Sequence, residues 1–423
     1  MASMKPSLSS HRFVPQYILA LIAICLVAGS VYYSGVYKDA RFVEARSKDI
    51  DTRYFYVAAK CWATGKSPYE PLTYDTMFQS TFGIHTPAQF VAYLPTLMLV
   101  VLPMAPFKWL VAAKIFSLMN FAAAMALFWA CYTLVREMVG EPLSSLQWFW
   151  VVIASTIGGV TGTIVTGQTS VFVTAACAVA LAGCRTGRAW LIVIGIVIAT
   201  SKPHLSGPVL LFIFIFEPKM RRATWIAMGI VAGVFAYAAA VDRNLVTSYL
   251  NAMHTYAALP INDASHEIGL VSLLMRYGLA HKPAQVIGML SLLLVMALTA
   301  WVIRRSGQTL TRSSLGMMLL IFATGVGQPL QGYDLCAYAV GVALIGTVDL
   351  PCQMLLALPA LLIWRQTLLD LLHLYKSNNS SRTLSSLTLL LITIIIAAWR
   401  LLSRPALRVH SIDLQRELSQ PSV

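Results

Sequence analysis

The stretch Ala284-Gln-Val-Ile-Gly-Met-Leu-Ser-Leu-Leu-Leu-Val-Met-Ala-Leu-Thr-Ala-Trp-Val-Ile303 contains no charged residue. It has the length of roughly 20 residues that a helix needs to cross the hydrocarbon of a membrane. Similar apolar runs recur along the chain, and several are shorter. The runs cover residues 14–36, 91–106, 109–134, 147–166, 168–184, 188–203, 205–217, 224–241, 284–303, 314–328, 335–350, 352–373 and 384–401. We therefore predict an all-α, polytopic membrane protein with about eleven to thirteen helical segments, some of them short or broken and meeting at a cavity.

The composition supports a membrane protein. Of 423 residues, 58% are hydrophobic and 11% are charged, whereas an average soluble chain has about a quarter charged residues. The net charge of +14 comes from 31 Lys and Arg against 17 Asp and Glu. These cations lie in short loops between apolar runs, not on one soluble face, which argues against nucleic acid as a partner and favours contact with membrane lipids. The basic loops are 185–188, 219–222, 304–305 and 400–408.

The distribution of positive charge also predicts orientation, because cytoplasmic loops are enriched in Lys and Arg. With the basic loops inside, three polar corners and the loop 242–283 fall on the exported face. The corners are Gly167-Gln168, Lys202-Pro203-His204 and Gln328 through Asp334. The first loop, 38–90, carries seven Lys or Arg, so a local count places it inside. If it faces outward instead, one segment between 91 and 184 is not a complete crossing, with 91–106 and 147–166 as the candidates.

The domain organisation is simple. We predict a single transmembrane domain over residues 1–401, two exported loops at 38–90 and 242–283, and a cytoplasmic tail at 402–423. The sequence contains no soluble catalytic domain. Its seven cysteines, at 25, 61, 131, 177, 184, 336 and 352, show neither a disulfide framework nor metal-ligand spacing.

The first loop contains the most informative polar stretch, Asp51-Thr-Arg-Tyr-Phe-Tyr-Val-Ala-Ala-Lys60. Its aromatic residues recur at helical spacing, which predicts a helix lying in the membrane interface. Asp51 is then either a helix N-cap or a carboxylate that takes a proton from an attacking hydroxyl as a general base. Asp49 is the next candidate for the same role.

Several motifs together resemble the polyprenyl-phosphate-mannose-dependent mannosyltransferases of glycosyltransferase family 87, which have the GT-C membrane fold. The similar segments are Asp51 with Tyr54 to Ala59, Gly65 to Tyr69, Phe90 to Pro95, Gly167-Gln168, Lys202-Pro203 and Tyr333-Asp334-Leu335. The resemblance covers roughly residues 45–345. The chain has Tyr93-Leu-Pro95 where the family often has Tyr-Pro-Pro, and its last hundred residues are similar only in hydrophobicity.

The resemblance implies a multi-pass enzyme of the inner (cytoplasmic) membrane that transfers a hexose, expected to be mannose, at the outer face. The donor would be a polyprenyl-phosphate sugar and the acceptor a hydroxyl of a lipid or glycan. Configuration would invert, with Asp51 as the general base. We expect no cofactor and no metal ion.

The leaving group of such a donor is a phosphate, which needs cations. Lys202, Arg276 and Arg53 are the candidates for binding it, although Lys202 also fits a lysine that extends to the interface. The predicted substrate-lining residues are Asp49, Tyr54, Tyr69, Gln168, His204, His254, His266, Glu267, Gln328, Tyr333 and Asp334. Ordinary loop polarity and interhelical hydrogen bonds are the structural alternatives for these residues.

Two other classes of function remain open at this stage. A transporter or flippase of polyprenyl-linked or amphipathic solutes also needs polar corners in an apolar bundle, and paired inverted repeats would favour it. A catalytically inactive membrane scaffold would tolerate substitution of both Asp51 and Lys202.

Overall fold

The computed structural model describes residues 50–86, 91–259, 262–264, 266–371 and 379–403, together with positions 18, 21 and 25. Within these ranges the chain is mainly helical and has no β-strand; an isolated antiparallel bridge joins Ile268 to Leu330. The all-α prediction is confirmed. The predicted span 14–36 and the tail beyond residue 403 lie almost wholly outside the described residues.

The α-helices are α1 (Ile50–Ala63), α2 (Pro71–Phe82), α3 (Met98–Val101), α4 (Trp109–Val139), α5 (Ser145–Ser155), α6 (Gly158–Thr166), α7 (Ser170–Thr186), α8 (Ala189–Ala199), α9 (Pro203–Phe216), α10 (Arg221–Val241), α11 (Leu245–Ala257), α12 (Leu270–Arg276), α13 (His281–Ser306), α14 (Ser314–Phe322), α15 (Thr324–Gly327), α16 (Ala339–Leu344), α17 (Leu350–Leu371) and α18 (Asn379–Leu402). Short 3-10 helices occupy Pro95–Leu97, Leu102–Met104, Pro218–Met220, Leu310–Arg312, Gly332–Tyr338 and Ile345–Thr347.

Four helical segments in the described part of the chain are long and apolar enough to cross a membrane. They are Trp109–Val139, Pro218–Val241, His281–Ser306 and Arg382–Leu402. Seven shorter apolar helical segments accompany them, as the sequence predicts for a bundle with broken helices. The short segments are tolerated because their free backbone groups face protein or a cavity instead of lipid.

Polar contacts lie at two opposite ends of the bundle. Ser170, at the start of α7, contacts Lys202 and Asp334. Arg185, at the other end of the same helix, donates to the carbonyl of Glu137. At 1.5 Å per residue these ends are about 25 Å apart. The three predicted polar corners therefore do meet at one end, here called the site end. Which side of the membrane this end faces stays a prediction.

The segment 91–106 enters and leaves at the site end, so it is not a crossing. Tyr93, at its start, donates from its hydroxyl to Gln168 at 2.6 Å. Trp109, just after it, lies under the guanidinium of Arg53, two residues from Asp51. By contrast, α5 and α6 together lead from the far end back to Gln168. Of the two candidate segments, 91–106 is the one that returns, and the side of the membrane that the first loop faces stays a prediction.

A small-residue face brings α6 against the 3-10 helix Gly332–Tyr338. A Cβ at Gly159 would overlap the backbone nitrogen of Cys336. This close approach requires a glycine at position 159 for the two segments to pack. It also fixes the backbone around Tyr333 and Asp334, which belong to the site described below.

Candidate active site

Lys202 lies between α8 and α9, immediately before Pro203, the first residue of α9. Its side chain is buried. The Nζ atom donates to Ser170 Oγ at 2.8 Å and to Asp334 Oδ1 at 2.5 Å. Because these partners belong to α7 and to the 3-10 helix Gly332–Tyr338, one buried ion pair joins three segments that are far apart in the sequence.

One N–H of the Lys202 ammonium is left for a ligand. An ammonium has three N–H groups, and two of them are used by Ser170 and Asp334. In the described part of the chain the third has no hydrogen-bond acceptor, and Lys202 lines a cavity. The rings of Tyr333 and Tyr93 lie 5.0 and 5.7 Å from Nζ and shield the ammonium from water. The site therefore offers one desolvated cationic donor.

Asp334 is fully engaged within the protein. Its Oδ1 accepts from Lys202 and from Ser170 Oγ, the latter at 2.6 Å, and its Oδ2 accepts from the backbone nitrogen of Gln331 at 3.1 Å. Gln331 in turn donates from its side chain to Asn262 at 3.2 Å. The carboxylate thus holds Lys202 in place and links it to the second loop.

Asp51 lies in the first turn of α1, and part of its surface is exposed. The next residue, Thr52, packs against Gly167, where a Cβ would overlap the Thr52 hydroxyl and where φ is +71°. Glycine is required there on both counts. Gln168 then hydrogen-bonds to Asp51 and accepts from Tyr93. Burial raises the pKa of Asp51 to about 6, and the Gln168 bond and the Lys202 charge act in the opposite direction.

A cavity of about 500 Å³ at the site end is lined by polar and by apolar residues, here called its polar wall and its apolar wall. Its polar wall contains Tyr93, Lys202, Asn262, Glu267, Gln331, Tyr333 and Asp334. Its apolar wall contains Pro208, Met253, Ala257, Met289 and Leu292, from α9, α11 and α13. A cavity with this division suits a ligand that has a polar head and a hydrocarbon tail.

Glu267 is a second carboxyl group on the polar wall, contributed by the second loop. Its side chain is buried. Burial raises the pKa of Glu267 to about 7, and the nearby charge of Asp263 adds to this effect. Ser272 and Arg276 lower the pKa, whereas Asp334 raises it further. The carboxyl group therefore titrates close to neutral pH.

The predicted site residues divide into two groups. Those that line the cavity are Lys202, His204, Glu267, Gln328, Tyr333 and Asp334. Those that do not are Asp51, Arg53, Tyr54, Tyr69, Gln168, His254, His266 and Arg276. Asp49 lies outside the described residues. Asp51 and Gln168 are separated from the cavity by Tyr93, while Tyr69 is buried and donates to the Tyr93 carbonyl at 2.7 Å.

The two predicted phosphate-binding arginines lie elsewhere. The guanidinium of Arg53 lies over the rings of Phe82 and Trp109, at 5.6 and 5.9 Å from their centroids. Arg276 donates to the carbonyls of Ala264 and Glu267. Both arginines hold loop structure in this conformation, and their contact with a donor phosphate stays a prediction.

Sequence reasoning missed several lining residues. His281, Gln285 and Met289 recur every four residues on α13 and face the cavity together. The spacing i, i+4, i+8 was a usable signal, because it places polar and apolar groups on one helical face. Asn262 and Gln331 carried no such signal, since their contact crosses from one loop to another. No group of His, Cys, Asp or Glu suited to a metal ion occurs in the described ranges.

These features are those of a polytopic helical membrane protein with an amphipathic cavity and a buried cation in its lining. A model of glycosyltransferase family 87 matches residues 90–325, more than half of the chain. The chain belongs to glycosyltransferase family 87, and the protein is a membrane glycosyltransferase. Comparison with curated proteins and with solved structures gives no match. Membership of this family does not favour the transporter or flippase alternative.

Proposed function

We propose that the protein transfers a hexose, expected to be mannose, from a polyprenyl-phosphate sugar to an acceptor hydroxyl at the outer face of the cytoplasmic membrane. The observation that carries this proposal is the pairing of a buried ammonium with an amphipathic cavity. The polar wall suits the sugar and phosphate, and the apolar wall suits the first isoprene units. The acceptor is a hydroxyl of a lipid or a glycan.

Lys202 would bind the phosphate through its third N–H. When the bond between the anomeric carbon and the phosphate oxygen breaks, the leaving polyprenyl phosphate takes the electron pair and gains negative charge. A desolvated ammonium is most effective at that stage, because electrostatic interactions strengthen where water is excluded. Asp334 keeps the ammonium in place and stays paired with it.

Asp51 would serve as the general base. The acceptor oxygen attacks the anomeric carbon from the side opposite the phosphate, its proton passes to the Asp51 carboxylate, and configuration inverts. A carboxylate with a pKa near 6 is ionised at neutral pH yet more basic than an exposed aspartate, which suits the role. Because Tyr93 lines the cavity and bonds the Gln168 beside Asp51, we infer that the acceptor approaches from the Asp51 side, that the donor approaches from the cavity side, and that the reacting atoms meet at the edge of the Tyr93 ring.

The test offers the purified protein a radiolabelled polyprenyl-phosphate hexose and a membrane lipid extract. The wild type should transfer label to a new acceptor, and Asp51→Asn should lower the rate by about a hundredfold or more while donor binding persists. Asp75→Asn is the matched control, because Asp75 is an exposed carboxylate of the same loop, on α2.

Full activity of Asp51→Asn would remove Asp51 from the mechanism. If label instead stays on the donor and appears across a bilayer of reconstituted vesicles, the protein carries the donor and the proposal fails.

A further inference from the structure

The Glu267 carboxyl group is buried, and within the part of the chain that the structure describes the one side chain that hydrogen-bonds to it is that of Ser272. The residue is only 7% exposed and lines the cavity. Among the described residues no ion pair within 4 Å involves its side chain, and Arg276 bonds the backbone carbonyl of Glu267 instead. A single hydroxyl donor leaves most of the hydrogen-bonding capacity of the two carboxyl oxygens unused, at a residue that borders the cavity.

The backbone around Glu267 is held firmly. The next residue, Ile268, exchanges two backbone hydrogen bonds with Leu330, at 2.7 and 2.8 Å. Gly269 has φ +115°, and a Cβ there would overlap the carbonyl of Gly325. Arg276 adds its bonds to the carbonyls of Ala264 and Glu267. Because the chain is fixed on both sides, the direction of the side chain into the cavity is set by the fold.

A buried carboxylate with a single neutral donor is costly, because one hydroxyl replaces only part of the hydrogen bonding that water provided. The charges that face Glu267 are those of Asp263, Asp334 and Arg276, so two of the three are negative. A phosphate would add further repulsion at this position. A pair of neutral hydroxyl groups would instead donate to the two carboxylate oxygens and supply the missing hydrogen bonds.

The polar residues around Glu267 are suited to bind the remaining hydroxyl groups of a hexose. Asn262 and Gln331 supply amide groups on the same wall, and Tyr256 supplies a ring and a hydroxyl. Lys202, the cation suited to a phosphate, lies on this wall as well. The wall thus offers an anion-binding group and, separately, acceptors for hydroxyl groups.

We propose that Glu267 binds two adjacent hydroxyl groups of the hexose on the donor. It is then the residue by which the enzyme distinguishes a polyprenyl phosphate that carries a sugar from one that has lost it. This proposal rests on the proposed function, because it takes the cavity as the donor site.

The first experiment measures the binding of two probes to the purified protein in detergent: a short-chain polyprenyl-phosphate mannose and the same polyprenyl phosphate without sugar. Glu267→Ala should weaken binding of the sugar-bearing probe by about tenfold to a hundredfold, the range for hydrogen bonds to a charged group. Binding of the bare phosphate should not change. Glu70→Ala, which removes an exposed glutamate of the first loop, is the matched control and should affect neither probe.

A second experiment identifies the hydroxyls with donors that each lack one hydroxyl of the hexose. For a hydroxyl bound by Glu267, removal should weaken binding to the wild type but not to Glu267→Ala, because the two changes delete the same interaction. Additive losses for every hydroxyl would overturn the proposal.

Two results separate this inference from the proposed function. If the wild type binds neither probe, the donor assignment itself is wrong. If the wild type binds both probes but Glu267→Ala weakens both equally, or neither, the donor assignment stands and the role of Glu267 is wrong. Glu267→Gln keeps the size of the side chain and guards against loss of folding in the alanine variant.

Discussion

Two carboxylates, those of Asp334 and Glu267, belong to the polar wall of the cavity, and they differ in how many hydrogen bonds the protein gives them. Asp334, on the 3-10 helix Gly332–Tyr338, accepts bonds from Lys202, Ser170 and the Gln331 backbone. Glu267, on the second loop, accepts one side-chain bond among the described residues, from Ser272. Burial alone therefore does not identify a carboxylate as a ligand-binding group. A carboxylate whose oxygens are all engaged serves the fold, and a buried one that is open to the cavity is available to a ligand.

Removing one member of the Lys202–Asp334 pair tests this difference between the two carboxylates most strongly. Asp334→Asn leaves Lys202 buried without its counter-charge, which should destabilise the protein by about 3–5 kcal/mol and abolish transfer. Thermal unfolding in detergent measures the first effect. The double variant Lys202→Met/Asp334→Leu removes both charges and should regain most of the stability but no activity.

If Asp334→Asn unfolds at the same temperature as the wild type, the ion pair does not hold the three segments together. The contrast with Glu267 would then lose its physical basis.

The architecture could be predicted from the sequence because it depends on composition and short-range pattern. Apolar runs of helical length gave the all-α membrane fold, and polar residues at the ends of those runs gave corners that meet at one end. Gln168, Lys202 and Asp334 were each predicted in this way, since a polar group beside an apolar run is costly unless it is paired or faces water.

The pairing within the site could not be predicted. Lys202 and Asp334 are 132 residues apart in the chain, and no local pattern shows which acid will face which base. The position of Tyr93 between Asp51 and the cavity depends on segment 91–106 returning to the site end. That return is decided by packing against α1 and α4, and not by the hydropathy of the segment. For the same reason the motif predicts Asp51 as a site residue, but it does not predict that Asp51 lies outside the cavity lining.

The pH dependence of the transfer rate tests whether the general base is Asp51 and neither of the two cavity carboxylates. Asp51, with a pKa of about 6 and facing Gln168 and Lys202, must be ionised to accept a proton. The maximal rate should therefore rise with pH and level off above about 6, falling roughly tenfold per unit below it. Rates at saturating donor, measured from pH 4.5 to 8.5, check this.

In Glu267→Gln the same midpoint should persist, because Glu267 is not the base. A midpoint that moves or disappears in that variant would transfer the role of base to the second loop.

Glu267→Gln should change stability in the opposite direction from Asp334→Asn, though by less. The folded-state pKa of Glu267 is raised to about 7, above the value of an unfolded glutamate near 4.3. The ionised group therefore costs stability, a cost that is absent below the unfolded pKa, grows as pH rises between the two values and stays constant above about 7. The glutamine variant should match the wild type at pH 4 and unfold at a higher temperature at pH 8. Equal melting temperatures at both pH values would show that a partner from the protein already satisfies the carboxylate.

The smallest expected effect lies at Tyr69, which supports the polar wall from behind. Its hydroxyl donates to the Tyr93 carbonyl at 2.7 Å, and its ring packs against Trp62 and Tyr249. Tyr69→Phe keeps the ring contacts and removes one hydrogen bond, so it should cost about 1 kcal/mol of stability. If Tyr93 positions donor and acceptor against each other for transfer, the maximal rate should fall in this variant while donor binding is unchanged. Weaker donor binding with an unchanged maximal rate would instead show that Tyr69 supports only the cavity wall.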